Sequence, residues 1–184
     1  GRQTVVATRV PVSARSCVPG QNSGALFAVQ IMNGYPQSIA VDSIKFDYAS
    51  VDPQGASAAQ LEAQVDSVYL YVDRDADASA ISAADSLIAV EQALYGKVMF
   101  DVSALSIAGN GGMRTVVVAA QLDLLACKNG NTIAFTLSDS SALVFDRAVG
   151  VSGNFPLQNP ASFTINAFPA AAVVTHTLST GTLY

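Results

Sequence analysis

Charge is the first thing this chain has little of. Only 12% of its 184 residues are Asp, Glu, Lys or Arg, about half the ~25% of an ordinary soluble domain. The 9 basic residues against 14 acidic ones give a formal net charge of −5. Without a basic cluster there is no electrostatic footprint for nucleic acid. Trp is absent and His176 is the only His. A single His argues against a multi-His metal centre and against His-based catalysis, and no G-x-S-x-G elbow accompanies it. Glu62 and Glu91 are the only glutamates and neither sits in a marked context, so paired-carboxylate glycosidase chemistry finds no support. There is no G-x-G-x-x-G or phosphate loop; Gly109-Asn110-Gly111-Gly112 reads as a loop tip. Long apolar runs are missing too. The longest, Thr115 to Cys127, is broken by Gln121 and Asp123, and falls short of the ~18 residues a membrane helix needs.

What is present is a hydrophobic chain, 51% apolar, of a length that suits one domain, taken here as residues 1–184. Much of the missing charge is replaced by Ala, Ser, Thr, Gln and Asn, as on many secreted and cell-surface proteins. The opening Gly1-Arg2-Gln3-Thr4 carries no signal peptide and reads as a trimmed or mature N-terminus. Cys17 and Cys127 form an even pair. Bonded, they would close a loop of about 110 residues, worth about 4–5 kcal/mol in the chain-entropy model; the other reading is two buried free thiols. Arg15 beside Cys17 is a weak signal for a lowered thiol pKa.

Period-2 patterns dominate. Thr4 to Val12 alternates, with Val6, Val10 and Val12 on one side. Ile39 and Val41, then Ile44, Phe46 and Tyr48, change phase at Asp42-Ser43, which predicts a bulge. Val68, Leu70 and Val72 oppose Tyr69 and Tyr71. Further strands are expected over Ala25 to Met32, Lys97 to Val102, Arg114 to Leu124, Thr132 to Leu137, Leu143 to Val149, Ser162 to Ile165 and Ala172 to Leu178. Turn signals separate them, and Lys128-Asn129-Gly130-Asn131 predicts a hairpin. Helix is expected only over Ala56 to Gln64 and in the Ala83 to Gln92 region. The fold class is therefore all-β: a two-sheet antiparallel β-sandwich of Greek-key or jelly-roll type, with about nine to eleven strands.

The acids that remain are unevenly placed. Glu62, Asp66, Asp73, Asp75, Asp77, Asp85 and Glu91 put half of the 14 into thirty residues. Asp73, Asp75 and Asp77 stand at i, i+2 and i+4, with Ser79 at i+6 and Asp85 at i+12. Carboxylates this close repel one another unless a cation intervenes. Calcium takes six to eight oxygens from such a flexible loop. The metal candidates are thus Asp73, Asp75, Asp77, Ser79 and Asp85, with Ca2+ as the expected ion and a solvated acidic turn as the alternative. Asp42, Asp47 and Asp66 are further candidates if their strands lie beside the loop. Tyr69 and Tyr71 offer an aromatic surface for sugar, although sheet packing is the commoner role for such residues.

The loop matches an EF-hand only in part, since Ala78 and Ala84 stand where Gly and Glu are usual. It resembles the variant loops of dockerin-like and other secreted calcium repeats. It is more similar to prokaryotic secreted and cell-surface β-sandwich modules, in which V-x-x-V-x-L-Y-x-D precedes spaced acids. Here those residues are Val65, Val68, Leu70, Tyr71, Asp73, Asp75, Asp77 and Asp85, with Val41, Ile44 and Phe46 upstream. The resemblance spans about Gln30 to Phe135 and is specific at the loop only. It implies an extracellular module. In outline the chain also resembles appendage subunits joined by donor strands, including the calcium-dependent cannula type, but no motif fixes one family. The terminal segments 1–12, whose only charged side chains are Arg2 and Arg9, and 169–184, which has none, are candidate inter-subunit strands. The expectation is a non-catalytic structural subunit of a surface appendage, filament or layer that homo-oligomerises. The alternative is a carbohydrate- or protein-binding adhesion module of a larger surface protein.

Overall fold

A computed structural model describes residues 3–160 and 162–167, without the side chains of 103 and 104. Among the described residues thirteen strands run in chain order: β1 Val5–Val10, β2 Ser16–Cys17, β3 Asn22–Asn33, β4 Ile39–Val51, β5 Val65–Val72, β6 Ser86–Glu91, β7 Lys97–Ile107, β8 Gly112–Leu122, β9 Thr132–Leu137, β10 Leu143–Phe145, β11 Val151–Ser152, β12 Leu157–Gln158 and β13 Phe163–Ile165. A short helix, α1, spans Ala58–Glu62, and a 3-10 turn spans Ser140–Ala142. One sheet has the order β11-β1-β3-β8-β5-β6. The other runs β10-β4-β9-β13-β2, with β7 on β4 and β12 on β9. The two sheets pack face to face as a β-sandwich.

The expected alternation explains the longest strands. Ile39, Val41, Ile44, Phe46 and Tyr48 of β4 are all buried, and the register against β7 shifts between Val41 and Ser43, where the bulge was expected. Phe46 stands at the centre of the core, edge-on to Phe27 (5.9 Å between centroids) and to Phe100 (6.0 Å), a favoured aromatic geometry. β3 and β8 bury residues on both faces over Leu26 to Val29 and Val116 to Ala120. They lie in the middle of their sheet, flanked on both sides by other strands.

Several expectations need correction. The sheets are mixed rather than purely antiparallel, because β1 pairs in parallel with β11 and β13 with β2. Thirteen strands exceed the expected nine to eleven because three of the additional ones, β2, β11 and β12, are only two residues long. The inner face of β1 is Val5 and Ala7, not Val6 and Val10. Residues 86–91 are a strand, not a helix: β6 pairs antiparallel with β5 along the rim of the sheet. The Asn129-Gly130 turn forms, with Gly130 at φ 86°. Yet it joins no hairpin, because β8 and β9 belong to different sheets. The chain leaves Leu122, crosses between layers, and is held there by a buried Gln64. Its side chain donates to Ser50 Oγ (3.0 Å) and the Leu61 carbonyl (3.2 Å), and accepts from Asn131 Nδ2 (2.7 Å) and Lys128 N–H (3.3 Å).

Helix α1 falls inside the expected Ala56 to Gln64. Ser57 caps it with a reciprocal bond to Gln60, the capping-box arrangement. Gly109 is required by a close approach: a Cβ there would stand 2.1 Å from the Pro36 carbonyl oxygen. β1 pairs along β3 within its own sheet. The C-terminal candidate strand, 172–178, and His176 lie outside the described residues.

Candidate metal centre

The acidic loop leaves the buried end of β5 and returns into β6. Its start is pinned by Asp73 N–H donating to the Thr115 carbonyl of β8, 2.9 Å. From there the Asp side chains wind the backbone through Asx turns. Asp73 Oδ1 accepts from the N–H groups of Asp75 (3.2 Å) and Ala76 (2.9 Å). Asp75 Oδ1 accepts from Asp77 N–H, 3.2 Å. Ala76 turns the chain through φ 63°, and Ala78 is buried beneath the loop. Asp85 closes it, accepting from Arg74 N–H (2.9 Å) and Ser82 N–H (2.8 Å).

This winding brings Asp73, Asp75 and Asp85 together, with carboxylate oxygens all within 4.8 Å of one another. Two ligands on opposite sides of one calcium ion stand about 4.6–5.2 Å apart, given Ca–O distances of about 2.3–2.6 Å. The triad therefore fits a calcium-sized cation, with hard oxygen donors of the right kind. Asp77 is not among these three acids; its Oδ1 accepts from Ser79 Oγ at 2.6 Å. Ser82, which the spacing did not single out, bonds to two of the three acids, its hydroxyl donating to Asp75 Oδ2 at 2.8 Å and its N–H to Asp85 Oδ2 at 2.8 Å. Nothing in a Ser among Ala and Ser neighbours signals this; only the folded loop places it.

The electrostatics of the three acids diverge. Partial burial raises the Asp73 carboxyl above its ordinary value, against the opposing pull of the Asp75 and Ala76 N–H groups. The Ser82 hydroxyl and the Asp77 N–H hold Asp75 below its ordinary value. The additional candidates lie elsewhere. Asp47 pairs with Lys97 Nζ at 2.8 Å. Asp66 is raised by desolvation and by Asp123 beside it. Asp42 lines a shallow surface cleft with Glu91 and Met99.

Cys17 and Cys127 are both free and buried, so the expected bond is not made. Cys127 Sγ instead donates to the Gln64 carbonyl, 3.2 Å. Burial raises the Cys17 thiol despite Arg15 and pushes Cys127 up to about 12. The weak signal for an activated Cys17 thus fails, because desolvation outweighs one nearby guanidinium. Tyr69 and Tyr71 are paired and partly exposed on the outer side of β5, 6.4 Å between ring centroids. Among the described residues no helix is long and apolar enough to cross a membrane.

No family model matches the chain, and no curated protein matches it. Among solved structures it is similar to the Hadza microbial sialidase Hz136, with a TM-score of 0.55 at 9% identity over 86% of this chain. The match spans 31% of that sialidase chain. The seventh ScaB type I cohesin from Pseudobacteroides cellulosolvens aligns over 95% of this chain and 97% of its own, at a TM-score of 0.32 and 11% identity. At such identities the sialidase likeness concerns the β-sandwich fold alone.

Proposed function

We propose that the chain is a non-catalytic extracellular structural module whose loop 73–85 is fastened by calcium and which packs against copies of itself in a surface assembly. The observation that carries the reading is the convergence of Asp73, Asp75 and Asp85. Asp77 and Ser79 would add further oxygens, since their mutual bond leaves Asp77 Oδ2 and the lone pairs of the Ser79 hydroxyl available. Calcium would tie the end of β5 to the start of β6 and stiffen that rim of the sandwich.

The rim itself supports assembly. β6 is the last strand of its sheet, and Leu87, Val90, Leu94, Tyr95 and Met99 at or near it are 48–88% exposed. A rim strand with exposed apolar side chains, its one charge at the terminal Glu91, is a template for pairing. The chain from 148 to 184 carries no Asp, Glu, Lys or Arg, so 169–184 could pair with a neighbour at no electrostatic cost. Size-exclusion chromatography and negative-stain microscopy, in calcium and in chelator, test the reading. Calcium-dependent oligomers or filaments, lost on deleting 171–184 if that segment is the donor, are expected. A chain that stays monomeric at high concentration in calcium refutes assembly. The second reading, an adhesion module of a larger surface protein, is favoured by the Tyr69–Tyr71 pair, and monomers that bind sugar or a partner protein would select it.

A further inference from the structure

A cleft of about 300 Å³ opens between the ends of β5 and β8 and the facing β7. Its apolar floor includes Val72, Ile88 and Leu105, and its mouth carries Arg74, Arg114 and Asp101. β5 pairs with β8 as far as Val72 and Val116, and Asp73 N–H bonds to the Thr115 carbonyl, so Arg74 and Arg114 both line the cleft at this end of the sheet. Neither guanidinium forms an ion pair among the described residues, where the three pairs are Lys97–Asp47, Lys128–Asp52 and Arg147–Asp146. This is unusual in a chain with more acids than bases.

Both arginines are nevertheless oriented. Arg74 Nε donates to Ser86 Oγ at 3.2 Å, and Arg114 Nη1 donates to the Met113 carbonyl at 3.0 Å. A guanidinium has five N–H donors, so most have no partner among the described residues. Two guanidiniums above an apolar floor suit a carboxylate on a compact apolar body, each able to offer a charge-assisted fork. The volume lies at the small end of the ~300–1,000 Å³ typical of ligand pockets, too small for a strand. Asp101, on the opposite wall, disfavours a second negative charge.

We infer that the Arg74–Arg114 cleft binds a small organic monocarboxylate, because two guanidiniums with no ion pair among the described residues line one cleft with an apolar floor.

The test is an NMR titration of the full chain in calcium-free buffer with benzoate, benzamide and inorganic phosphate. Benzoate should shift the Arg74 and Arg114 side-chain signals and bind at least about tenfold more tightly than benzamide, the loss expected for one charge-assisted contact. Arg114→Gln should weaken benzoate about tenfold or more, while Arg147→Gln at a distant ion pair leaves it unchanged. Arg114 is exposed and its one bond is to its own neighbour, so the variant should keep the parent melting temperature. Equal binding of benzoate and benzamide, unchanged benzoate affinity in R114Q, or no benzoate shift up to its solubility limit overturns the inference. Phosphate binding as tight as benzoate overturns the monocarboxylate assignment.

Discussion

Gln64→Met should unfold the sandwich at markedly lower denaturant, although it changes side-chain shape very little. Gln64 is 1% exposed, and its amide makes four hydrogen bonds to three separate parts of the chain: β4, the end of α1 and the 128–131 turn. Methionine removes all four, at about 0.5–1.5 kcal/mol each in net terms. It also strands the Asn131 amide, itself 1% exposed, and a buried donor left without its partner costs about 1–3 kcal/mol. The other three partners are only part-buried and recover some of their loss in water. A more apolar side chain in the same site offsets about 1–2 kcal/mol. The net expectation is about 2–4 kcal/mol, or roughly 5–15 °C in Tm for a domain of this size. Urea unfolding followed by circular dichroism, with linear extrapolation, measures it. The double variant Q64M/N131L should lose less than the sum of the two single variants, because removing both partners strands neither. A Q64M chain within about 1 kcal/mol of the parent, or strict additivity in the double variant, would refute the clasp.

Iodoacetamide should alkylate neither Cys17 nor Cys127 in the folded protein and both after denaturation, since burial suppresses their thiolates; a non-reducing mass two hydrogens lighter than the sum of residues would contradict this. Asp139 caps the 3-10 turn before β10 by accepting from Ser141, so Asp139→Ala should lower the urea midpoint at neutral pH. Because that carboxyl is depressed by the Ser141 hydroxyl and N–H, its stabilisation is present above the ordinary carboxylate pKa and is lost as pH falls through the lower folded value. The penalty of D139A should therefore shrink in acid, and a penalty independent of pH would count against the cap. Phe46→Ala, at the centre of the aromatic cluster, should cost about 3–5 kcal/mol by the same assay.

The alternation of β4 was legible down to its bulge, because Ile39, Val41, Ile44, Phe46 and Tyr48 change phase at a polar pair and all point inward. The same logic failed on Ala83 to Gln92. Its Ala, Leu and Glu favour helix locally, and only pairing with β5 makes it a strand. Asn129-Gly130 has the composition of a hairpin turn, but composition does not say which sheet receives the next strand; the Gln64 contacts decide that. The two-residue parallel pairs at β11 and β2 carry no periodicity and depend on contacts distant in sequence. At the site, the spacing of acids pointed to the loop, and two of the i, i+2, i+4 series converge with Asp85. That Asp77 turns toward Ser79, and that Ser82 turns inward, depends on the backbone reversal at Ala76 and on Asx bonds.

The proposed calcium site at Asp73, Asp75 and Asp85 is open to a direct test. Burial raises the Asp73 carboxyl, so its ionised form costs stability once pH exceeds its folded pKa, and a bound cation should reverse that cost. Asp73→Asn keeps the oxygen that accepts from Asp75 and Ala76 and removes the charge. Melting temperatures of both chains at neutral pH, in chelator and in calcium at about one hundred times its Kd, test this directly. The parent should gain about 2.7 kcal/mol in calcium, a rise of roughly 5–11 °C, and D73N should melt no lower than the parent in chelator yet gain little from calcium. Equal melting of the parent in both conditions, or an equal calcium gain in D73N, would contradict the claim.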